Sequence, residues 1–89
     1  MKIVRVELHG SDNYTALHRE MAGRGFSRTV RAIGGLNYHL PTAEYLYDGL
    51  LTSDQVLGLA QTAVNVLGLR ASILCTDGAV MFSNLLQAA

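Results

Sequence analysis

The sequence predicts an α+β fold: an antiparallel sheet with two helices on one face and an extra C-terminal strand. Three observations predict it. Residues 2–9, KIVRVELH, alternate in the period-two manner of a half-buried strand. Residues 56–67 place apolar side chains at helical spacing behind a capping pair. Gly34-Gly35 and Asp77-Gly78 fall where hairpin turns would join neighbouring strands. With 89 residues, the chain is expected to form one domain spanning 1–89, without a second core.

The elements follow in order. In the first strand Val4, Val6 and Leu8 share one face, and Ile3, Arg5, Glu7 and His9 the other. Gly10 ends it. Ser11 or Asp12 caps a first helix, since either side chain accepts from the free amides of the first turn. Tyr14, Leu17 and Met21 lie on one helical face, and Gly23 and Gly25 offer the positive φ that stops a helix.

FSRTVRAI, 26–33, reads as a second strand, followed by the Gly34-Gly35 turn. Residues 36–42 are irregular, and Pro41, lacking an amide hydrogen, shapes a loop or a strand edge. AEYLYDG, 43–49, resumes as a strand with Ala43, Tyr45 and Tyr47 on one face and Glu44, Leu46 and Asp48 on the other.

Thr52 and Gln55 match a capping box, and Asp54 suits the positive end of a helix. The stripe Val56, Leu59, Ala60, Ala63, Val64 and Leu67 covers roughly 140° at about 100° per residue, and Gly68 stops the helix. RASILCT, 70–76, reads as a buried strand, and AVMFSNL, 79–85, as its return after Asp77-Gly78. The order β-α-β-β-α-β is that of ferredoxin-like folds, with strands one and three adjacent and antiparallel.

Composition narrows the function. Charged residues make up 16% of the chain, below the usual quarter, so surface hidden in a homodimer is expected. The net charge of zero argues against a strongly basic binder, and no DNA partner is predicted. The charge is nonetheless segregated. Residues 1–31 hold Lys2, Arg5, Arg19, Arg24, Arg28 and Arg31 against three acids, whereas 32–89 hold Arg70 against four.

The lone Cys75 gives no disulfide framework, which fits a reducing compartment. The start of the chain is too short and too alternating for a signal peptide, and no apolar run reaches the ~20 residues of a membrane span. A cytoplasmic protein without membrane insertion is expected. Neither a zinc spacing nor a phosphate-loop glycine pattern occurs, so no metal site and no cofactor are predicted.

Candidate chemistry lies on the open face of the sheet. Antiparallel pairing of strands one and three is expected to bring His9 to Glu44 and Arg5 to Asp48, with His39 leaning over the same end. A histidine oriented by a carboxylate is a general acid/base, and an arginine can hold a phosphate with two hydrogen bonds. His9, His39 and Glu44 are therefore the catalytic candidates, and Arg5, Arg28 and Arg31 the RNA- or phosphate-binding ones. Such a set would cut RNA without a metal. The alternative is that the open face carries only solvated or dimer-forming charges, and that Arg24, Arg28 and Arg31 protect a sheet edge. His18 reads as a boundary residue, Tyr45 and Tyr47 as core, and Cys75 as an inert core thiol.

The blocks VRVELHG (4–10), GFSRTV (25–30) and YHLPTAEY (38–45) resemble small bacterial proteins of the GhoS family, the antitoxins of type V toxin–antitoxin systems. The resemblance runs from the first strand through the second helix. It implies a ferredoxin-like fold, similar to that of the small CRISPR adaptation nucleases. It also implies an endoribonuclease that degrades the message of a membrane-damaging toxin, with Arg28 in GFSRTV the nearest correspondence to a functional residue. The alternatives are a non-catalytic dimeric interaction module and a small-molecule-binding regulatory domain of the same fold.

Overall fold

The computed structural model describes residues 1–32 and 34–78. The elements are β1 (Lys2–His9), α1 (Tyr14–Ala22), β2 (Thr29–Arg31), β3 (Asn37–His39), β4 (Glu44–Tyr47), α2 (Ser53–Val66) and β5 (Arg70–Asp77). The fold is α+β. Strands β4, β1 and β5 form one antiparallel sheet with β1 in the centre, and β2 and β3 form a separate hairpin.

Alternation in β1 sends Val4, Val6 and Leu8 inward and leaves Arg5, Glu7 and His9 exposed. The inward residues meet Leu17 and Met21 of α1, Val56, Ala60, Ala63 and Val64 of α2, and Tyr45 and Tyr47 of β4. Both helices therefore cover the same face of the sheet. Their burial removes apolar surface from water, the main term holding so small a domain together.

The first helix starts later than the sequence suggests. Asn13, not Ser11 or Asp12, is its N-cap, accepting from the Ala16 amide at 3.4 Å. Ser11 supports the cap from outside, its hydroxyl accepting from the Asn13 amide at 3.1 Å. At the other end Gly23 stays right-handed, and Gly25 (φ 90°) makes the turn.

The second strand is broken. Ser27 makes a two-way backbone bridge with Leu46, both bonds at 2.8 Å, before the chain leaves the sheet. The Ser27 hydroxyl then accepts from the Thr29 amide at 3.1 Å, a local bond that competes with the ladder. From Thr29 onward the chain pairs with residues 37–39, where the sequence suggested a loop. Gly34 and Gly35 turn the hairpin with φ of 102° and 93°, values that disfavour a side chain.

The second helix matches its sequence signals closely. Both limbs of the Thr52–Gln55 capping box form, and Gly68 (φ 67°) ends the helix while the Leu69 amide donates back to the Val64 carbonyl. Strand β5 is half-buried rather than buried: Ala71, Ile73 and Cys75 lean on the core, and Leu74 is 62% exposed on the open face. The expected returning strand, 79–85, lies outside the described residues. No helix among the described residues is long and apolar enough to cross a membrane.

Candidate functional site

The candidate residues fall into three groups. The first is the open face of the sheet. Alternation places Arg5, Glu7 and His9 there as expected, and Glu44 beside them. The register does not pair His9 with Glu44. Arg5 stands opposite Glu44, and His9 stands opposite Arg70 of β5.

His9 is four positions beyond Arg5, roughly 13 Å along the strand at about 3.3 Å per residue. The β1–β4 ladder closes early because a turn intervenes: the Glu44 amide donates to the Pro41 carbonyl at 2.9 Å, and the preceding chain departs toward the hairpin. Asp48, expected near Arg5, follows Tyr47, the residue opposite Lys2 at the far end of the ladder.

The Arg5 guanidinium donates to Glu44 and to Glu7, both at 3.2 Å. The Glu7 hydrogen bond is the main cause of its raised pKa, outweighing the opposing desolvation, while the charge of Glu7 and the contact with Glu44 add smaller upward contributions. His9 instead meets Ser72, its Nε2 2.7 Å from the hydroxyl. The proposed acid/base pair of His9 and Glu44 is not assembled.

The second group is the hairpin. Thr29 stands opposite His39, and Arg31 opposite Asn37. Residues directly opposed in an antiparallel pair project from the same face. Thr29, Arg31, Asn37 and His39 thus form one polar face, on which Arg31, Asn37 and His39 are exposed, while Val30 points inward and is buried. Arg31 and His39 are diagonal neighbours, about 7–8 Å apart by strand geometry. The Arg31 side chain curls over the turn, where a Cβ at Gly35 would sit 3.2 Å from its Nη2. Between Glu20 and Glu44 the chain contains no acidic residue. Arg24 is neutralised by Glu20 at 2.6 Å, and neither Arg28 nor Arg31 is in an ion pair among the described residues.

The third group was not anticipated as a unit. Arg28 turns inward, beneath the hairpin. Its Nη1 lies 2.7 Å from His18 Nε2, and its Nη2 donates to the carbonyls of Leu40 at 3.1 Å and Pro41 at 3.5 Å. Its Nε is buried without a hydrogen-bond partner among the described residues. The guanidinium lies 5.7 Å from the centre of the Tyr45 ring, within cation–π range. On the other side of the imidazole, Nδ1 lies 2.6 Å from the Tyr45 hydroxyl.

Arginine donates and cannot accept, which fixes the tautomer of His18. Nε2 must be the acceptor, so Nδ1 carries the hydrogen and donates to Tyr45 Oη. Burial, and secondarily the charge of Arg28, hold His18 below the ordinary histidine pKa. Burial likewise drives the Tyr45 hydroxyl pKa upward, so it remains a neutral phenol. The one sequence clue was Tyr45 itself, because a buried tyrosine hydroxyl needs a partner. Nothing in the spacing of His18 and Arg28 identifies that partner.

Arg28 is thus committed to protein acceptors, whereas Arg31 and His39 share the exposed face of the hairpin, with the Arg31 guanidinium bent toward Gly35. Among the described residues no three of histidine, cysteine, aspartate or glutamate converge as a metal-binding group. No protein-family model matches the chain, and no curated protein or solved structure matches it significantly.

Proposed function

We propose that the chain is a GhoS-like antitoxin acting on RNA in the cytoplasm, with metal-independent endoribonuclease activity centred on the β2–β3 hairpin. Arg31 and His39 on one exposed face of an acid-free hairpin are the observation that carries this reading. The ferredoxin-like description supports it. The order β5-β1-β4, extended by the Ser27–Leu46 bridge on the outer side of β4, is compatible with the strand order of that fold, with both helices on one face.

In this reading Arg31 holds a phosphate of single-stranded RNA, whose exposed backbone a short ribbon can reach. His39 takes the proton of the 2′-hydroxyl, whose oxygen attacks phosphorus. The imidazolium then returns the proton to the departing 5′-oxygen, leaving a cyclic phosphate and a free 5′-hydroxyl. His9 is tied to Ser72, and Glu44 to Arg5, so neither has a part in this step.

The test is incubation of the purified chain with candidate RNAs in EDTA. Cleavage is expected in the wild type and in His9→Ala, and is expected to be lost in His39→Ala. Cleavage that survives His39→Ala, or never occurs, refutes the mechanism. Binding gives a second check: the salt dependence for single-stranded RNA is expected to fall by about 0.7 in log–log slope on Arg31→Ala.

A second reading has its own observation. Leu74 is exposed in the middle of the open sheet face, directly opposite Arg5, and Ile3 and Leu46 pair beside it. A homodimer joined there would be a non-catalytic interaction or regulatory module. Light scattering that finds a monomer at micromolar concentration removes this reading.

A further inference from the structure

The hairpin that presents Arg31 and His39 is held to the body of the protein by few bonds. One backbone bond, from the Leu40 amide to the Arg28 carbonyl at 2.8 Å, closes the base of the hairpin, close to where the chain leaves the sheet at Ser27. The side-chain tie is Arg28, which reaches from the hairpin's incoming arm to the Leu40 and Pro41 carbonyls on its outgoing arm and to His18 on α1. Arg28 is therefore the side chain that joins both arms of the hairpin to a helix.

We propose that Arg28 and His18 form a proton-sensitive joint that sets the position of the hairpin. The chemistry is restrictive. Arg28 can only donate, and His18 Nε2 can accept only while the imidazole is neutral. A protonated ring would place two cations 2.7 Å apart with a hydrogen on each nitrogen, so the contact must break. The Nδ1 contact to Tyr45 survives protonation, because Nδ1 is a donor in both states.

The groups facing His18 are Tyr14 from its own helix, with ring centres 6.2 Å apart, Tyr45 from β4 at 5.5 Å, and Arg28. No carboxylate among the described residues is placed to stabilise the imidazolium. The buried, unpartnered Nε of Arg28 marks the joint as incompletely satisfied, as expected of a contact that can give way.

The sign of the pH effect follows. The folded-state pKa of His18 lies below the ordinary 6.5, so folding favours the neutral ring. The stabilisation is complete above pH 6.5 and is lost as pH falls through the lowered value. The hairpin is thus fastened at neutral pH and released in acid. The joint stands without the RNA reading; that it controls RNA cleavage rests on that reading.

Amide hydrogen exchange of the intact chain, corrected for the intrinsic pH dependence of exchange, tests the joint. Between pH 7.5 and pH 5, protection of the Leu40 and Ala32 amides is expected to fall about tenfold, the effect of losing one hydrogen bond made by a charged group. The Ala60 amide, buried in the middle of α2, is expected to stay protected. In His18→Gln, whose side-chain oxygen still accepts from Arg28 but does not titrate, Leu40 and Ala32 should remain protected at both pH values.

A flat response in the wild type overturns the proposal, as does an unchanged acid response in His18→Gln. Equal loss at Ala60 also overturns it, since that indicates general unfolding. RNA cleavage is scored separately: a hairpin that responds to pH in a chain that never cuts RNA removes the functional reading and leaves the joint.

Discussion

The main sheet and the β2–β3 hairpin are built on different principles. Strands β1 and β5 pair over eight positions, and β1, β4 and both helices share a continuous apolar cluster. The hairpin pairs over three positions, and its buried residues, Val30 and Leu40, lie outside that cluster. Its polar attachment runs through Arg28. A body held by apolar burial tolerates changes of pH and salt, whereas polar attachment is directional and titratable. The difference separates a scaffold from the element it presents, and that presented element carries the exposed Arg31 and His39.

Substitutions on the two sides should behave differently. The largest effect is expected in the body. Leu17 is fully buried between the helices and the sheet, and Leu17→Ala should cost about 2–5 kcal/mol in urea unfolding. A loss below 1 kcal/mol would show that the cluster is looser than its burial indicates. Arg28→Ala should be smaller, about 1–3 kcal/mol, because it deletes hydrogen bonds made by a charged group and leaves the apolar cluster intact. Exchange should accelerate at Leu40 and Ala32 well before Ala60 of α2. If all three accelerate together, the hairpin is no separate unit.

Capping comes next. Thr52→Ala removes one limb of the box that starts α2 and should cost about 1 kcal/mol by thermal or urea melting. Hairpin exchange should be unaffected, since α2 lies on the other side of the molecule's division into scaffold and presenter.

The same division separates what was legible in the sequence from what was not. Local signals worked where the chain obeys local physics. The alternation of β1, the Thr52–Gln55 box, the Gly68 stop and the Gly34-Gly35 turn all correspond to observed structure. Alternation also placed Arg5, Glu7 and Glu44 on one face. It could not set their offset, because a period of two identifies the face of a strand and says nothing of register. The Pro41–Glu44 turn ends the β4 ladder opposite Arg5, and with it the expected meeting of His9 and Glu44.

The hairpin was harder still. Its second strand is three residues long and sits against a proline, so composition favours a loop there. The His18–Arg28–Tyr45 set joins a helix, a loop and a strand through side chains alone. Only tertiary structure brings those three together. It also divides the predicted phosphate ligands into one that faces outward, Arg31, one that turns inward, Arg28, and one, Arg5, that is held by carboxylates.

The smallest predicted effect tests the register itself. Arg5 and Glu44 are exposed partners at 3.2 Å, so their mutual contribution is weak and screened by solvent. A double-mutant cycle with Arg5→Ala and Glu44→Ala should still detect a favourable coupling that high salt removes. The matching cycle with His9→Ala and Glu44→Ala should show none, because those residues share no partner and are separated by more than a Debye length at physiological salt. Coupling of His9 with Glu44, and its absence for Arg5, would mean that β4 slides along β1 in solution. The open face would then regain its acid/base pair, and the hairpin would lose its claim to be the place where chemistry occurs.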